Sequence, residues 1–288
     1  MRDWLAPLLS VAVVGALSLG CTTSLTTLTP AQTTPGGHVR MSGAVAINAP
    51  VGKLLDDVLE AKDRVSAIED GEMATPDDVK LISETAVAVV ATPPTAMADI
   101  AGRVGLTDRF DLGFRYSGGS LRGDVRFQFL GSTEDDDTFF GSVGLGAGLF
   151  VFGSKLPVPA EYEEVLEIEN NGQYQLDASV LFGPSGRFGH LWLGPKFVMS
   201  SYDTDARITL SGVPEQHLSI TGTNLYYGGQ VGFALGFQFI WVMFELTVVG
   251  VSTNTDADAG AAGAFLGDLG GKSTGLIIYP AGGLLLQF

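Results

Sequence analysis

Charged side chains recur at every second position in two neighbouring stretches of this sequence, and they are its strongest candidates for chemistry. Asp111 and Arg115 share one face of a predicted strand, and Arg122, Asp124 and Arg126 share one face of the next. Interleaved Arg and Asp on adjacent strands can pair and offset each other's desolvation. The candidate cluster comprises Arg103, Asp111, Arg115, Arg122, Asp124 and Arg126. We expect a salt-bridged interior, and the alternative is a narrow path for anions lined by Arg115, Arg122 and Arg126.

Acid–base catalysis has little support in the sequence. The chain contains three histidines, His38, His190 and His217. It contains neither a Gly-x-Ser-x-Gly elbow nor a His-Glu-x-x-His pair. We therefore expect no catalytic residues and no enzymatic activity.

Acidic runs are the only candidates for metal binding. Residues 134–137 read Glu-Asp-Asp-Asp, but they lack the Asp-x-Asp-x-Asp-Gly spacing of a dedicated calcium loop. We interpret them, like the acids at 161–169 and 256–258, as solvated surface, and expect no metal and no cofactor. The net charge of −16 also argues against nucleic acid as a partner.

The N-terminal region has the pattern of an export signal. Residues 5–19 are apolar, too few to span a bilayer but suited to a secretory signal peptide over residues 1–20. Gly20 precedes Cys21, the single cysteine, which therefore cannot form an internal disulfide. This junction resembles a bacterial lipoprotein signal, which implies lipidation of Cys21, and Thr22 resembles the version sorted to the outer membrane. Residues 21–37 are rich in Thr, Pro and Gly and predict a flexible tether without a core.

Alternation with a period of two predicts that most of residues 38–288 form β-strands. Ten strands are expected. The first six lie near residues 38–48, 96–106, 109–118, 120–130, 139–152 and 173–182. The seventh runs from residue 189 to beyond 201, the eighth ends at 237, the ninth spans 239–251, and the tenth is at the C-terminus. Strands seven and eight should continue past the membrane as a hairpin around residues 212–216. No apolar run after the signal is long enough for a membrane-spanning helix.

One insertion, residues 51–92, breaks the strand pattern. Leu54, Leu55, Val58, Leu59, Val65 and Ile68 recur on one helical stripe. A second helix should begin at Thr75, with Pro76 at its first position and Asp78 completing a capping box. We expect an αα-hairpin in which Leu54, Leu55, Val58, Leu59, Val79 and Ile82 pack the helices together or onto a partner.

The C-terminal strand supports a family resemblance. Leu284, Leu286 and Phe288 alternate up to a terminal aromatic residue. From residue 38 onward the chain resembles Gram-negative outer-membrane β-barrel proteins. This implies an all-β, antiparallel transmembrane barrel of about ten strands (8 to 12), with the αα-hairpin inserted. It also implies that Leu284, Leu286 and Phe288 are read by the barrel-assembly machinery.

Parity constrains the orientation. If the tether at Cys21 and Phe288 are both periplasmic, the strand number must be even, and long connections should lie outside.

The expected partners are outer-membrane lipids, the assembly machinery and an envelope or surface protein.

Three functions remain open. The favoured one is a non-enzymatic envelope structural or surface-interaction role, because ten strands leave little room for a channel. The alternative is a narrow channel or small-solute transporter. The third rests on a resemblance in size and strand number to omptin-type surface proteases, for which His217, Asp203 and Asp205 could supply the catalytic groups.

Overall fold

A computed structural model describes residues 23–69, 75, 78, 81, 85, 95–132, 138–150, 166–208, 216–258 and 271–288. Ten antiparallel strands close into a barrel in which each strand neighbours the next in sequence and β1 pairs with β10. The predicted ten-stranded antiparallel barrel is confirmed. The strands are β1 Val39–Val51, β2 Thr95–Thr107, β3 Phe110–Ser117, β4 Ser120–Leu130, β5 Phe139–Phe150, β6 Leu166–Pro184, β7 Gly189–Ile208, β8 Gln216–Phe237, β9 Ile240–Asp258 and β10 Gly271–Gln287.

Closure between the first and last strands removes the exposed edge that an open sheet would have. The Val39 N–H donates to the Phe288 carbonyl at 3.0 Å, and the Phe288 N–H donates back at 2.9 Å. Following paired residues once around the barrel from Val39 leads to Val51, an offset of 12 residues. Ten strands with this offset tilt by about 40° and lie about 10 Å from the barrel axis.

The strand faces alternate as their sequences predict. On β3, Leu112 and Phe114 are exposed on the outside, whereas Asp111 and Arg115 are buried inside. Aromatic rings stack on the outside near Phe288, with Phe239 and Phe288 at 6.3 Å and Phe188 and Phe237 at 5.6 Å between centroids. A closed sheet with an apolar outer face and an aromatic girdle is a transmembrane barrel of the bacterial outer-membrane type.

The two rims of the barrel differ. The rim that carries Phe288, here called the C-terminal rim, has the short connections 108–109, 131–138, 185–188 and 238–239. The opposite rim, here called the far rim, has the connections 52–94, 118–119, 151–165, 209–215 and 259–270. The tight turn is formed by Gly118 and Gly119, whose φ angles of 54° and 81° suit a two-residue hairpin. β6–β10 have 17–22 residues against 8–12 in β3–β5, so one wall projects beyond the far rim.

One helix, α1 (Lys53–Glu69), follows β1 directly at the far rim. It begins after Gly52, whose carbonyl accepts from the N–H groups of Leu55 and Asp56. The second predicted helix lies mostly outside the described residues, where only Asp78, Leu81 and Thr85 are seen as helical. The αα-hairpin therefore remains a prediction. Within the described part of the chain, no helix is both long enough and apolar enough to cross a membrane.

Residues 23–36, here called the lumen segment, differ from the prediction made from the sequence. They were expected to form a flexible tether without a core, yet they lie inside the barrel, and residues 23–34 are buried apart from a half-buried Gln32. Leu25, Leu28 and Ala31 join the interior apolar cluster with Trp192 and Tyr279. The physical reason is volume, because the side chains of a barrel about 10 Å in radius need not fill its axis. Residues 1–20 and Cys21 lie outside the described residues.

Candidate functional site

The candidate site is the lumen itself, where charged wall residues surround the lumen segment. All six residues of the predicted charge cluster point inward, and the side chain of Asp124, at 10% exposure, is the most accessible of them. Asp177, Lys196 and Glu245 are also buried on the inward face. Two further inward charges, Arg40 and Asp99, were not singled out from the sequence.

Arginine and aspartate pair across β2, β3 and β4. The Arg103 Nη2 atom lies 2.7 Å from Asp111 Oδ1 and 2.6 Å from Asp124 Oδ1. Asp111 is also paired with Arg126 at 2.7 Å. Two looser pairs join Arg115 to Asp99 at 3.5 Å and Arg122 to Asp177 at 3.4 Å. These contacts offset the desolvation of the buried charges.

Glycine at inward positions makes room for these side chains. A Cβ atom at Gly113 would lie 2.6 Å from Asp124 Oδ2, and one at Gly146 would lie 2.6 Å from Asp177 Oδ2. Interiors of small barrels commonly alternate small and large residues in this way. The glycines therefore belong to the charge cluster as much as the arginines do.

Cationic side chains bind the carbonyl groups of the lumen segment. Arg115 donates to the carbonyls of Thr26 and Thr27, and Lys196 Nζ donates to the Thr26 carbonyl at 3.1 Å. Nearer the C-terminal rim, Arg126 Nη1 donates to the Pro30 carbonyl at 2.7 Å, and Arg40 Nη1 donates to the Gln32 carbonyl at 2.7 Å. Charge-assisted hydrogen bonds of this kind are roughly twice as strong as neutral ones.

A single carboxylate, that of Glu245, receives the N–H groups at the bend of the segment. Thr27 N and Leu28 N each donate to it at 2.7 Å, and Trp192 Nε1 donates at 2.9 Å. Leu28 has a φ of 45°, which a bulky residue rarely adopts. A left-handed residue lets two successive N–H groups converge on one anion. The Glu245 contacts therefore compensate the strained backbone at Leu28.

At the C-terminal rim, the segment is held where it enters the lumen. Thr33 N donates to Gln128 Oε1 at 2.9 Å, and Thr34 N donates to Asp111 Oδ2 at 2.8 Å. Gly105, on the inward face of β2, lets the chain pass, since a Cβ atom there would collide with the Pro35 carbonyl. The entry point thus depends on a glycine in the wall.

Toward the far rim, the contacts involve hydroxyl groups. Thr23 Oγ1 donates to Ser200 Oγ at 3.0 Å, and Ser24 and Thr26 hydroxyls donate to Asp99 Oδ2 at 3.4 and 3.3 Å. The threonines that suggested a tether therefore act as hydrogen-bonding side chains.

The chemistry of this arrangement is recognition of a polypeptide main chain by charged side chains. Residues 23–37 carry no charge, whereas the described lumen wall carries six cations and five carboxylates. The cations are Arg40, Arg103, Arg115, Arg122, Arg126 and Lys196, and the carboxylates are Asp99, Asp111, Asp124, Asp177 and Glu245. A cavity beside Leu28 and Arg103 measures about 10 Å³, room for about one water molecule.

The other predicted site residues lie away from the lumen. Leu284 and Phe288 are exposed on the outer face of β10. His217 pairs in register with Arg207, and Asp205 pairs with Ser219, on the projecting β7–β8 hairpin. Residues 134–137 and Cys21 are outside the described residues. No group of three or more potential metal ligands occurs in the part of the chain that the structure describes.

His38 and His190 both lie near the C-terminal rim, beside β1 and on β7, whereas His217 lies on the projecting hairpin. His38 lies at the C-terminal rim, where its Nδ1 is 2.9 Å from the Phe288 carbonyl. His190 is buried against Trp241, with 4.5 Å between ring centroids.

The sequence did carry signals for what was missed. Arg40 and Asp99 have inward parity on β1 and β2, and the lumen segment is uncharged and rich in hydroxyls. None of these signals identifies a hydrogen-bonding partner, because most of the contacts join residues far apart in the sequence.

Neither a protein-family model nor a curated protein matches this sequence. Among solved structures, a major outer membrane protein from Thermus thermophilus aligns with 10% identity over 87% of this chain and 99% of its own, with a TM-score of 0.36. The outer membrane protease OmpT from Escherichia coli aligns with 11% identity over 92% and 100%, with a TM-score of 0.41. Ail, the attachment invasion locus protein of Yersinia pestis, aligns with 10% identity over 86% and 99%, with a TM-score of 0.20.

Proposed function

We propose that this chain is a sealed, non-enzymatic barrel of the Gram-negative outer membrane that serves as an envelope structural or surface-interaction protein. The observation that supports this proposal is the occupied lumen. Residues 23–34, buried apart from Gln32, take the place where a solute would pass, and they are bonded to wall residues on several sides.

The cost of leaving buried polar groups without hydrogen-bond partners favours a lumen that stays filled. If the segment left, Arg115, Lys196 and Glu245 would lose their partners on it. A buried polar group left unsatisfied costs roughly 1–3 kcal/mol, and a charged group costs more. The segment is therefore a stable part of the barrel rather than a passing occupant.

We therefore assign the function to the parts of the protein that lie outside the membrane. The projecting wall of β6–β10 and helix α1, with Leu55 and Leu59 exposed, form the far rim. We assign this rim to the cell surface and the C-terminal rim to the periplasm. The proposed partners are outer-membrane lipids around the barrel, the assembly machinery at Leu284, Leu286 and Phe288, and an envelope or surface protein at the far rim.

Planar-bilayer recording tests the sealed state. The purified full-length chain should insert without discrete conductance steps, and co-flotation with liposomes would establish insertion independently. A variant lacking residues 23–36 serves as the positive control, because it should conduct if it folds. Regular steps from the intact chain would overturn the proposal.

A narrow anion path is the second candidate, and the excess of one cation in the described lumen favours it. It requires the segment to leave or shift. Discrete conductance steps from the intact chain, with a preference for chloride over potassium, would support this alternative.

The absence of enzymatic activity is tested separately. We expect no cleavage of a peptide panel by the purified protein. Cleavage that disappears in His217→Ala would replace the proposal with the omptin-like alternative.

A further inference from the structure

The lumen segment meets the wall at successive heights, and their order shows its direction. Thr33 and Thr34 contact Gln128 and Asp111, close to the C-terminal rim. Thr27 contacts Glu245, five residues along β9 from Ile240, and Thr26 contacts Lys196, seven residues along β7 from Gly189. As the residue number falls, the contact moves steadily away from Phe288. The segment therefore passes through the lumen once and does not fold back.

Thr23 lies at the end of this path. Its hydroxyl contacts Ser200 and Gln173, each eleven residues from the C-terminal-rim end of its strand. Eleven residues of a strand tilted by about 40° rise about 27 Å along the barrel axis. The apolar band of an outer-membrane barrel is about 25 Å tall. Thr23 is therefore separated from Phe288 by the full thickness of the membrane.

The wall recognises the main chain of the segment from Thr26 to Thr34 and the hydroxyl group of Thr23. Arg115, Lys196, Arg126 and Arg40 bind carbonyls, while Glu245 and Asp111 bind N–H groups. Such contacts fix the segment in place along much of its length.

From this path we infer that the lumen is a threading channel for the chain's own N-terminal part, which leaves the barrel at the far rim. The N-terminal end is then presented on the opposite side of the membrane from Phe288, beside α1 and the projecting β6–β10 wall. This reverses the expected topology, in which the tether and Phe288 share the periplasmic side. The inference goes beyond the proposed function, since a threaded chain could coexist with a barrel that conducts.

Epitope tags on whole cells test the exit side. One tag is inserted between Thr22 and Thr23, a second in the 133–137 turn at the C-terminal rim, and a third in the 209–215 connection at the far rim. Each tagged chain is first checked for the heat-dependent gel mobility of a folded barrel. Antibody binding is then measured before and after permeabilisation of the outer membrane.

The tag before Thr23 should bind antibody to the same extent as the 209–215 tag, and at least ten-fold more than the 133–137 tag in intact cells. Binding that requires permeabilisation, as for the 133–137 tag, would overturn the inference. So would failure to bind in intact cells under conditions where the 209–215 tag binds.

A disulfide in the untagged chain tests the path itself. Thr23→Cys with Ser200→Cys places two sulfur atoms where hydroxyl oxygens lie 3.0 Å apart. A cross-link located by mass spectrometry should form, whereas Thr33→Cys with Ser200→Cys should not cross-link. Absence of the first cross-link, or formation of the second, would contradict threading. If the first forms but the tag reports the periplasmic side, the exit at the far rim is overturned although the lumen path stands. Conductance measured on the same protein decides the proposed function separately.

Discussion

At the scale of single residues, Glu245 has the most demanding position. It is fully buried, and it accepts hydrogen bonds from two adjacent backbone N–H groups and from the Trp192 indole. The period-two pattern of β9 indicates that Glu245 faces inward, but nothing local to it indicates which groups it binds. Its importance follows from contacts to residues more than 50 positions away.

Substituting Glu245→Gln should loosen the lumen segment. A neutral amide removes the charge from the hydrogen bonds with Thr27 N, Leu28 N and Trp192 Nε1 and turns an N–H group toward other donors. We expect a loss of roughly 3 kcal/mol in unfolding free energy, since hydrogen bonds to charged groups contribute about 1.5–3 kcal/mol each. Brief conductance events should also appear in planar bilayers.

Asp177→Asn is the matched control for Glu245→Gln. Asp177 is likewise a buried inward carboxylate, but its ion pair is with Arg122 on the wall. This variant should stay closed in bilayers. If both variants open equally often, Glu245 has no special role in holding the segment.

At the scale of elements, a charged contact between described residues connects helix α1 to the segment that follows it. Arg64 Nε donates to Asp78 Oδ1 at 2.8 Å, and Arg64 Nη2 donates to Asp78 Oδ2 at 2.9 Å. Asp78 also accepts from Thr75 N at 2.9 Å, while Asp78 N donates to Thr75 Oγ1 at 3.3 Å. The reciprocal capping between Thr75 and Asp78 was predicted from spacing alone. The Arg64 contact was not, because it depends on how the chain returns toward α1.

The pKa of Asp78 should report this contact. Hydrogen bonds from Arg64 and then from Thr75 hold that pKa well below the ordinary value of 3.8. A lowered carboxyl pKa means that the stabilisation is complete above pH 3.8 and is lost only as pH falls through the lowered pKa. Carbon-13 NMR of the Asp78 carboxyl should therefore show it still ionised at pH 3.

Arg64→Gln removes the first cause of this pKa shift. The pKa of Asp78 should rise toward its ordinary value, and Arg64→Lys should give an intermediate result because the two-pronged hydrogen bond is lost while the charge stays. An unchanged titration in Arg64→Gln would show that Arg64 does not pair with Asp78 in solution.

At the scale of the whole molecule, the barrel consists of a membrane part whose described lumen holds residues 23–36 and a projecting far rim. Helix α1 contacts the barrel mainly through the end of β1. The insertion between β1 and β2 should therefore be separable from assembly.

Replacing residues 53–92 by Gly-Gly tests this separation. Asn48 and Thr95 are paired in register, so a short turn can connect the two strands. The variant should still reach the outer membrane and retain heat-dependent gel mobility. Leu55→Ser with Leu59→Ser in the full-length chain is the control that alters only the exposed apolar face. Failure of the shortened chain to assemble would make the insertion a structural cap rather than a surface module.

The amino-acid sequence by itself determined the wall of this barrel. Alternation on β3 and β4 set which residues face inward, because successive side chains of a strand point to opposite faces. An even number of strands then placed the Val39 end of β1 beside Phe288. These properties follow from local alternation and from the number of strands, so they can be predicted from the sequence.

Only the tertiary structure decided what fills the lumen that this wall encloses. Residues 23–36 have a composition typical of a linker, and their burial comes from hydrogen bonds to residues such as Asp99, Asp111 and Glu245, 73 to 218 positions away. An uncharged, hydroxyl-rich segment has no strong local preference, so it adopts the conformation that an enclosed, charged cavity imposes. The size of that cavity, and hence the path of the N-terminal chain, exists only once all ten strands have closed.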